Sequence, residues 1–179
     1  GNSAKKSITW ITENTLQYPP LDKIASIAYE DLFPSAGDAD YNDFVTNFKI
    51  VETVNSNNQV SRILIDVIPR AAGARFDSKL ILSLDGKKDL PSNIKNQTAP
   101  LFKGAASVKL TRFDDLGRIL EVRENHPIEK DLEIFSTTHG TFGRPKDSAI
   151  NSDPDKPYYK PVRKIRVEIV LANPELNPV

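Results

Sequence analysis

The chain has 179 residues, few enough for one hydrophobic core to serve it all, and its 24 Lys and Arg balance its 24 Asp and Glu. With no net charge there is no field to concentrate a polyanion, so nucleic acid is not an expected partner; the absence of cysteine removes disulfides, thiolate-bound metals and thiol nucleophiles. No apolar run approaches the roughly 18 residues that span a bilayer, and no heptad pattern calls for an obligate oligomer, so the expectation is a monomeric single domain over 1–179, without a transmembrane segment and with 1–6 and 173–179 as flexible ends.

Thirteen prolines and many Asn, Asp and Ser clusters cut the chain into short runs, most of which alternate with a period of two. Near the start Trp10, the one tryptophan, alternates with Ile8 and is read as buried. After an acidic segment, Phe44, Thr46, Phe48 and Ile50 fall on one face of a strand and Val45, Asn47, Lys49 and Val51 on the other. Asn55-Ser56-Asn57-Asn58 is a turn into a second strand, Ser61 to Ile68, which makes a hairpin.

Phe76, Ser78, Leu80, Leu82 and Leu84 share a face before the turn at Asp85-Gly86. Val108, Leu110 and Arg112 alternate with Lys109 and Thr111, and Asp114-Asp115-Leu116-Gly117 turns the chain into Ile119 to Arg123. A short helical turn is expected over 129–135, the only helical signal of note. Ile165, Val167, Ile169 and Leu171, alternating with Lys164, Arg166, Glu168 and Val170, form the clearest strand. The class is therefore all-β: a two-layer antiparallel, jelly-roll-like sandwich with little helix, a partly closed barrel being the alternative.

The chemistry gathers between Tyr29 and Asp43, where Glu30, Asp31, Asp38, Asp40 and Asp43 join the amide oxygen of Asn42 with no Lys or Arg among them. Ca²⁺ takes six to eight oxygen ligands, and the Asp-x-Asp-x-Asn spacing of Asp38, Asp40 and Asn42 lets alternate residues of a tight loop converge on one point. Gly37 permits a sharp entry. The loop is not an EF-hand, because its sixth position is Asp43 and its twelfth Lys49. Glu30 or Asp31 is expected to complete the shell, since 34–37 can fold the chain back. The bland alternative is a solvated Asp/Asn-rich turn.

Tyr-Glu-Asp-Leu-Phe-Pro (29–34) followed by Gly-Asp-Ala-Asp-Tyr-Asn-Asp-Phe-Val (37–45) resembles the signature of the LruC domain family of bacterial surface and outer-membrane lipoproteins, and is similar to that of a family of calcium-associated adhesin modules. The stretch 70–76, the turn at 84–86 and the Asn-Ser-Asp-Pro at 151–154 resemble further landmarks, so the likeness covers residues 24 to 172. Phe33 stands where the family often has tryptophan. The resemblance implies a β-rich fold, calcium, and a place in the bacterial cell envelope after removal of a signal sequence; it supplies no reaction.

Three functions are carried forward: a non-catalytic calcium-binding module for adhesion to a surface glycan or protein, a purely structural envelope domain, and a polysaccharide-acting hydrolase. The last would draw carboxylates from Asp114, Asp115, Glu121 and Glu124. His126 and His139 have no nucleophile or metal-ligand spacing around them, and Tyr158 and Tyr159 are read as packing against the sandwich rather than as a sugar platform.

Overall fold

The computed structural model describes residues 13–30, 43–74, 77–83, 105–127, 130–137, 142 and 164–176. Among them nine strands carry the regular structure: β1 (Asn14–Tyr18), β2 (Ala25–Tyr29), β3 (Phe44–Val54), β4 (Gln59–Ala71), β5 (Leu80–Leu82), β6 (Ala105–Phe113), β7 (Ile119–Arg123), β8 (Leu132–Phe135) and β9 (Ile165–Leu176). Seven form an antiparallel sheet in the order β1-β3-β4-β9-β6-β7, with β2 also on β3, and β5 pairs with β8 in a second, smaller sheet. The described strands do not close into a barrel: β1 and β2 lie at one edge of the large sheet and β7 at the other.

Both long hairpins turn by the same device. At β3–β4, Asn55 Oδ1 accepts the backbone N–H groups of Asn57 (2.9 Å) and Gln59 (3.0 Å), and Asn58 takes the left-handed conformation at φ 58°. At β6–β7, Asp114 Oδ1 accepts those of Leu116 (3.0 Å) and Arg118 (2.7 Å), with Gly117 at φ 78°. Asn and Gly are the residues that tolerate this region at low cost, and the short Asx side chain replaces the hydrogen bonds a tight turn leaves unmade.

The last strand occupies the middle of the large sheet. β9 pairs Val67↔Ile165 and Ile63↔Ile169 with β4, and Val108↔Ile169 and Leu110↔Val167 with β6, so it joins the two hairpins. Its inward residues Ile165, Val167, Ile169 and Leu171 are buried with Val108 and Leu110 against Leu132, Ile134 and Phe135 of β8. On the outward face the charges are paired: Arg166 grips Asp66 through Nε (2.6 Å) and Nη2 (2.8 Å), and Arg62 meets Glu168 at 2.6 Å.

Two expectations change. The segment read as a helical turn ends in strand β8, because Leu132, Ile134 and Phe135 are all buried and the chain pairs with β5 through Leu82↔Leu132 and Leu80↔Phe135. β9 runs on to Leu176, where Glu175 and Leu176 pair with Val60 and Gln59. Strand β5 is shorter than the alternation suggested, covering 80–82 only, while Phe76 and Leu84 lie outside the described residues.

At one margin the core is closed by a charged side chain. Arg112 shares the inward face with Leu110; it pairs with Glu121 across β6–β7 and its Nη2 donates to the Ile134 carbonyl of β8 at 2.9 Å, tying the two sheets together. Glu121 also accepts from Arg123. That hydrogen bond first, and Arg112 after it, hold the Glu121 carboxyl below its usual range against the opposing effect of burial. Arg112→Met is expected to cost about 1.5–3 kcal/mol, the range for hydrogen bonds to a charged group. Arg112→Lys should recover little of it, because an ammonium lacks the planar fork that reaches both partners; urea midpoints of the two variants check this.

Glu52 lies on the inward face of β3, between Leu16 and Ile63 in the strand register, and burial raises its carboxyl above the usual value. A carboxyl raised on folding favours the folded state while protonated, and that advantage is lost as pH rises through the folded-state value. Glu52→Gln is therefore expected to melt above the parent at neutral pH, with the two melting temperatures converging below about pH 4, where the parent is protonated as well. A thermal-melt series over pH checks the sign.

Candidate metal and ligand site

β1 and β2 both run antiparallel to β3, β1 along 50–54 and β2 along 44–48, so they are two pieces of one edge interrupted by the excursion 19–24. The excursion turns at Pro20 to Lys23, whose N–H reaches the Pro20 carbonyl at 3.0 Å with Asp22 at φ 69°. Such an interruption limits further strand pairing at the edge.

The β2–β3 register ends at Tyr29↔Phe44. The acidic segment therefore leaves the sheet at Glu30 and returns at Asp43, one step beyond the last pair, which makes these two residues neighbours across the base of the connection. Asp31, Asp38, Asp40 and Asn42 lie outside the described residues. Of the six expected ligands, the structure thus locates Glu30 and Asp43, and it brings both to the wall of one cleft.

The cleft has a volume of about 260 Å³, and the residues lining it include Tyr29, Glu30, Asp43, Phe44, Ser78 and Lys79. A backbone hydrogen bond from Ala74 to the Asp43 carbonyl, 3.4 Å, joins two of the lining residues. Tyr29 stacks on Phe44 with ring centroids 6.0 Å apart, and Phe44 meets Phe135 of the second sheet edge-on at 5.8 Å. Phe44 and Phe135 are buried, whereas Tyr29 keeps 42% of its surface exposed. The site is thereby connected through three rings to the core.

Chemically, Glu30 and Asp43 supply hard oxygen donors suited to Ca²⁺ or Mg²⁺, and a third carboxylate would have to come from the connection between them. Among the described residues no three acidic or imidazole side chains converge as a metal site. The serine and lysine lining was not foreseen from sequence, since nothing local in Asp77-Ser78-Lys79 distinguishes it from an exposed strand or turn.

The other residues considered for chemistry have structural partners or lie elsewhere. Asp114 caps its hairpin; burial would raise its carboxyl, but the Arg118 N–H, the Arg118 guanidinium and the Leu116 N–H outweigh this and hold it low. Glu121 is also held low, opposite to the direction that a general acid requires. Glu124 pairs with Lys109 at 3.3 Å, and Asp115 is exposed in the turn. His126 Nε2 lies 3.1 Å from the Lys130 carbonyl. Trp10, His139, Tyr158 and Tyr159 lie outside the described residues.

Comparison with protein-family models, curated proteins and solved structures finds no match to the chain. Among the described residues no helix is long and apolar enough to cross a membrane.

The packing of Tyr29 on Phe44 can be tested separately from any ligand. Phe44→Ala should lower stability by about 3–5 kcal/mol, the cost of emptying a buried phenylalanine site. Tyr29→Ala, at a position already 42% exposed, should cost much less. Urea denaturation of both variants is the measurement, and equal costs would place Tyr29 within the core rather than on the cleft.

Proposed function

We propose that this chain is a non-catalytic calcium-binding β-sandwich module of the LruC domain type, working in adhesion at a bacterial cell surface or outer membrane by binding a glycan or a protein. The observation that carries the reading is the Tyr29↔Phe44 pair, which brings Glu30 and Asp43, two of the six expected ligands, to one cleft at the base of the acidic connection. Asp38, Asp40 and Asn42 belong to the same connection and supply the remaining oxygens of the proposed shell, with Glu30 or Asp31 completing it.

The ion's proposed role is to hold the connection rather than to act on a substrate. Five carboxylates within 14 residues repel one another without a counter-charge, and a cation that binds only their folded arrangement removes that repulsion. Lys79 lines the same cleft but sits outside the acidic segment. A fixed connection on a rigid sheet then presents a constant surface to a partner, which lowers the ordering cost of binding.

Calcium that binds only the folded state stabilises it by RT ln(1 + [L]/Kd), about 2.7 kcal/mol at a hundred times Kd. The melting temperature is expected to rise in millimolar calcium and to return on chelation. Asp40→Ala should remove most of that response while the far-ultraviolet circular dichroism stays β-dominated. A parent protein indifferent to calcium, or an Asp40→Ala variant that responds like the parent, would return the segment to the status of a solvated turn.

A further inference from the structure

We infer that β7 is a pairing edge for a second copy of this chain, the two strands meeting antiparallel across a two-fold axis at Val122 to make one continuous sheet. The two edges of the large sheet differ. The β1 and β2 edge is broken by the excursion at 19–24, which carries Pro19 and Pro20. β7 runs over Ile119–Arg123 without proline or lysine, the residues that commonly guard an edge, and its register shift lies at the turn end, before Glu121. Among the described residues nothing pairs with its outer side. Ile119, Leu120 and Val122 keep 62, 52 and 43% of their surface exposed, so apolar side chains accompany the open backbone.

The hydrogen bonds of β6 fix the direction in which β7 points its backbone. Phe113 donates its N–H to the Lys164 carbonyl on the β9 side at 2.8 Å, and the Val108 carbonyl accepts from His126 on the β7 side at 3.1 Å. Alternation along β6 therefore turns Thr111 toward β9 and Leu110 toward β7. Opposed residues in an antiparallel pair either bond one another or both turn away, so Val122, opposite Thr111, points its N–H and C=O at the open edge. Two copies related by an axis at Val122 bring these groups together as a closely spaced pair of N–H to C=O bonds.

Side chains select a second copy as the occupant. With the axis at Val122, Glu121 of each copy lies opposite Arg123 of the other, so opposite charges meet twice, and Leu120 lies diagonal to Val122 of the other. Glu121 is already held by Arg112 and Arg123 of its own chain, and so presents an ordered carboxylate to the incoming guanidinium. An axis moved by one residue to Glu121 would set two carboxylates against each other, which disfavours that register. Because the opposite edge is interrupted, the pairing closes as a dimer and does not propagate. Neither net charge nor a heptad pattern registers a sheet edge, which is why the sequence reads as a monomer.

The test is analytical ultracentrifugation of the whole chain over a concentration series, with oxidative cross-linking of single-cysteine variants. A strand of 5 residues makes a small interface, so the expected result is a reversible monomer–dimer equilibrium with a Kd on the order of 100 µM. Val122→Pro removes the N–H at the edge without touching the bonds to β6, and Arg123→Glu sets like charges opposite one another. Each should weaken association by about tenfold or more while the protein still melts cooperatively. Leu116→Ser, which removes an exposed side chain of the turn outside the pairing register, should leave association unchanged. The chain has no cysteine, and opposed Cα atoms of a bonded pair lie about 5.5 Å apart, within disulfide reach. Val122→Cys should therefore oxidise to a covalent dimer, and Thr15→Cys, on the other edge, should not. A chain that stays monomeric up to about 1 mM leaves the edge for an unrelated strand and overturns the inference. Association that Val122→Pro and Arg123→Glu both leave intact overturns it too, as does cross-linking of Thr15→Cys as readily as Val122→Cys.

Discussion

Pairing of β9 with two hairpins at once is the constraint on which the rest of the structure depends. Val167 and Ile169 sit fully buried between Ile65 and Ile63 of β4 and Leu110 and Val108 of β6, each side chain contributing about 1.5–3 kcal/mol by leaving water. Without that strand the β3–β4 and β6–β7 hairpins would have no shared edge, and Leu132, Ile134 and Phe135 would have no continuous face to cover. The polar face repeats the pairing in charge: Asp66 and Arg166, opposite one another across β4 and β9, meet through a two-pronged hydrogen bond that fixes the register.

Rigidity reaches the candidate site from this centre by way of Phe135, Phe44 and Tyr29. The first two rings are core residues; the third is the last paired residue of the edge. A one-residue slip of β2 on β3 would turn Tyr29 to the opposite face and remove the ring from the cleft, so the register and the site are a single property. The edge is short and interrupted at 19–24, so its position relies on β3 rather than on its own length.

Period-two alternation made β3, β4, β6 and β9 legible, because each presents several residues of an inward face such as Ile165, Val167, Ile169 and Leu171; β7, mostly exposed, followed from the turn before it. The Asn55 and Asp114 turns were legible for the same local reason. β1 and β2 were not, since five residues of mixed polarity, Asn14-Thr15-Leu16-Gln17-Tyr18 and Ala25-Ser26-Ile27-Ala28-Tyr29, carry too little pattern on either side of Pro19-Pro20. β8 read as a helical turn because four residues cannot establish a period, and Glu129, Lys130 and Asp131 before it mimic a charged helix face. Of the site, the clustering of oxygens was visible in the spacing of Asp38, Asp40 and Asn42. That Glu30 and Asp43 come to one site followed from the turn expected at 34–37, whereas the presence of Ser78 and Lys79 in the same cleft depends on long-range pairing that no local pattern encodes.

The proposed divalent cation would be held by Glu30 and Asp43 beside the half-exposed Tyr29. Terbium, which takes oxygen ligands like those of calcium, tests it directly when excited through nearby aromatic rings. The expected result is sensitised terbium emission that calcium displaces and that Asp43→Asn largely removes while the protein remains folded. Absence of emission, or emission that neither calcium nor Asp43→Asn diminishes, would contradict the claim.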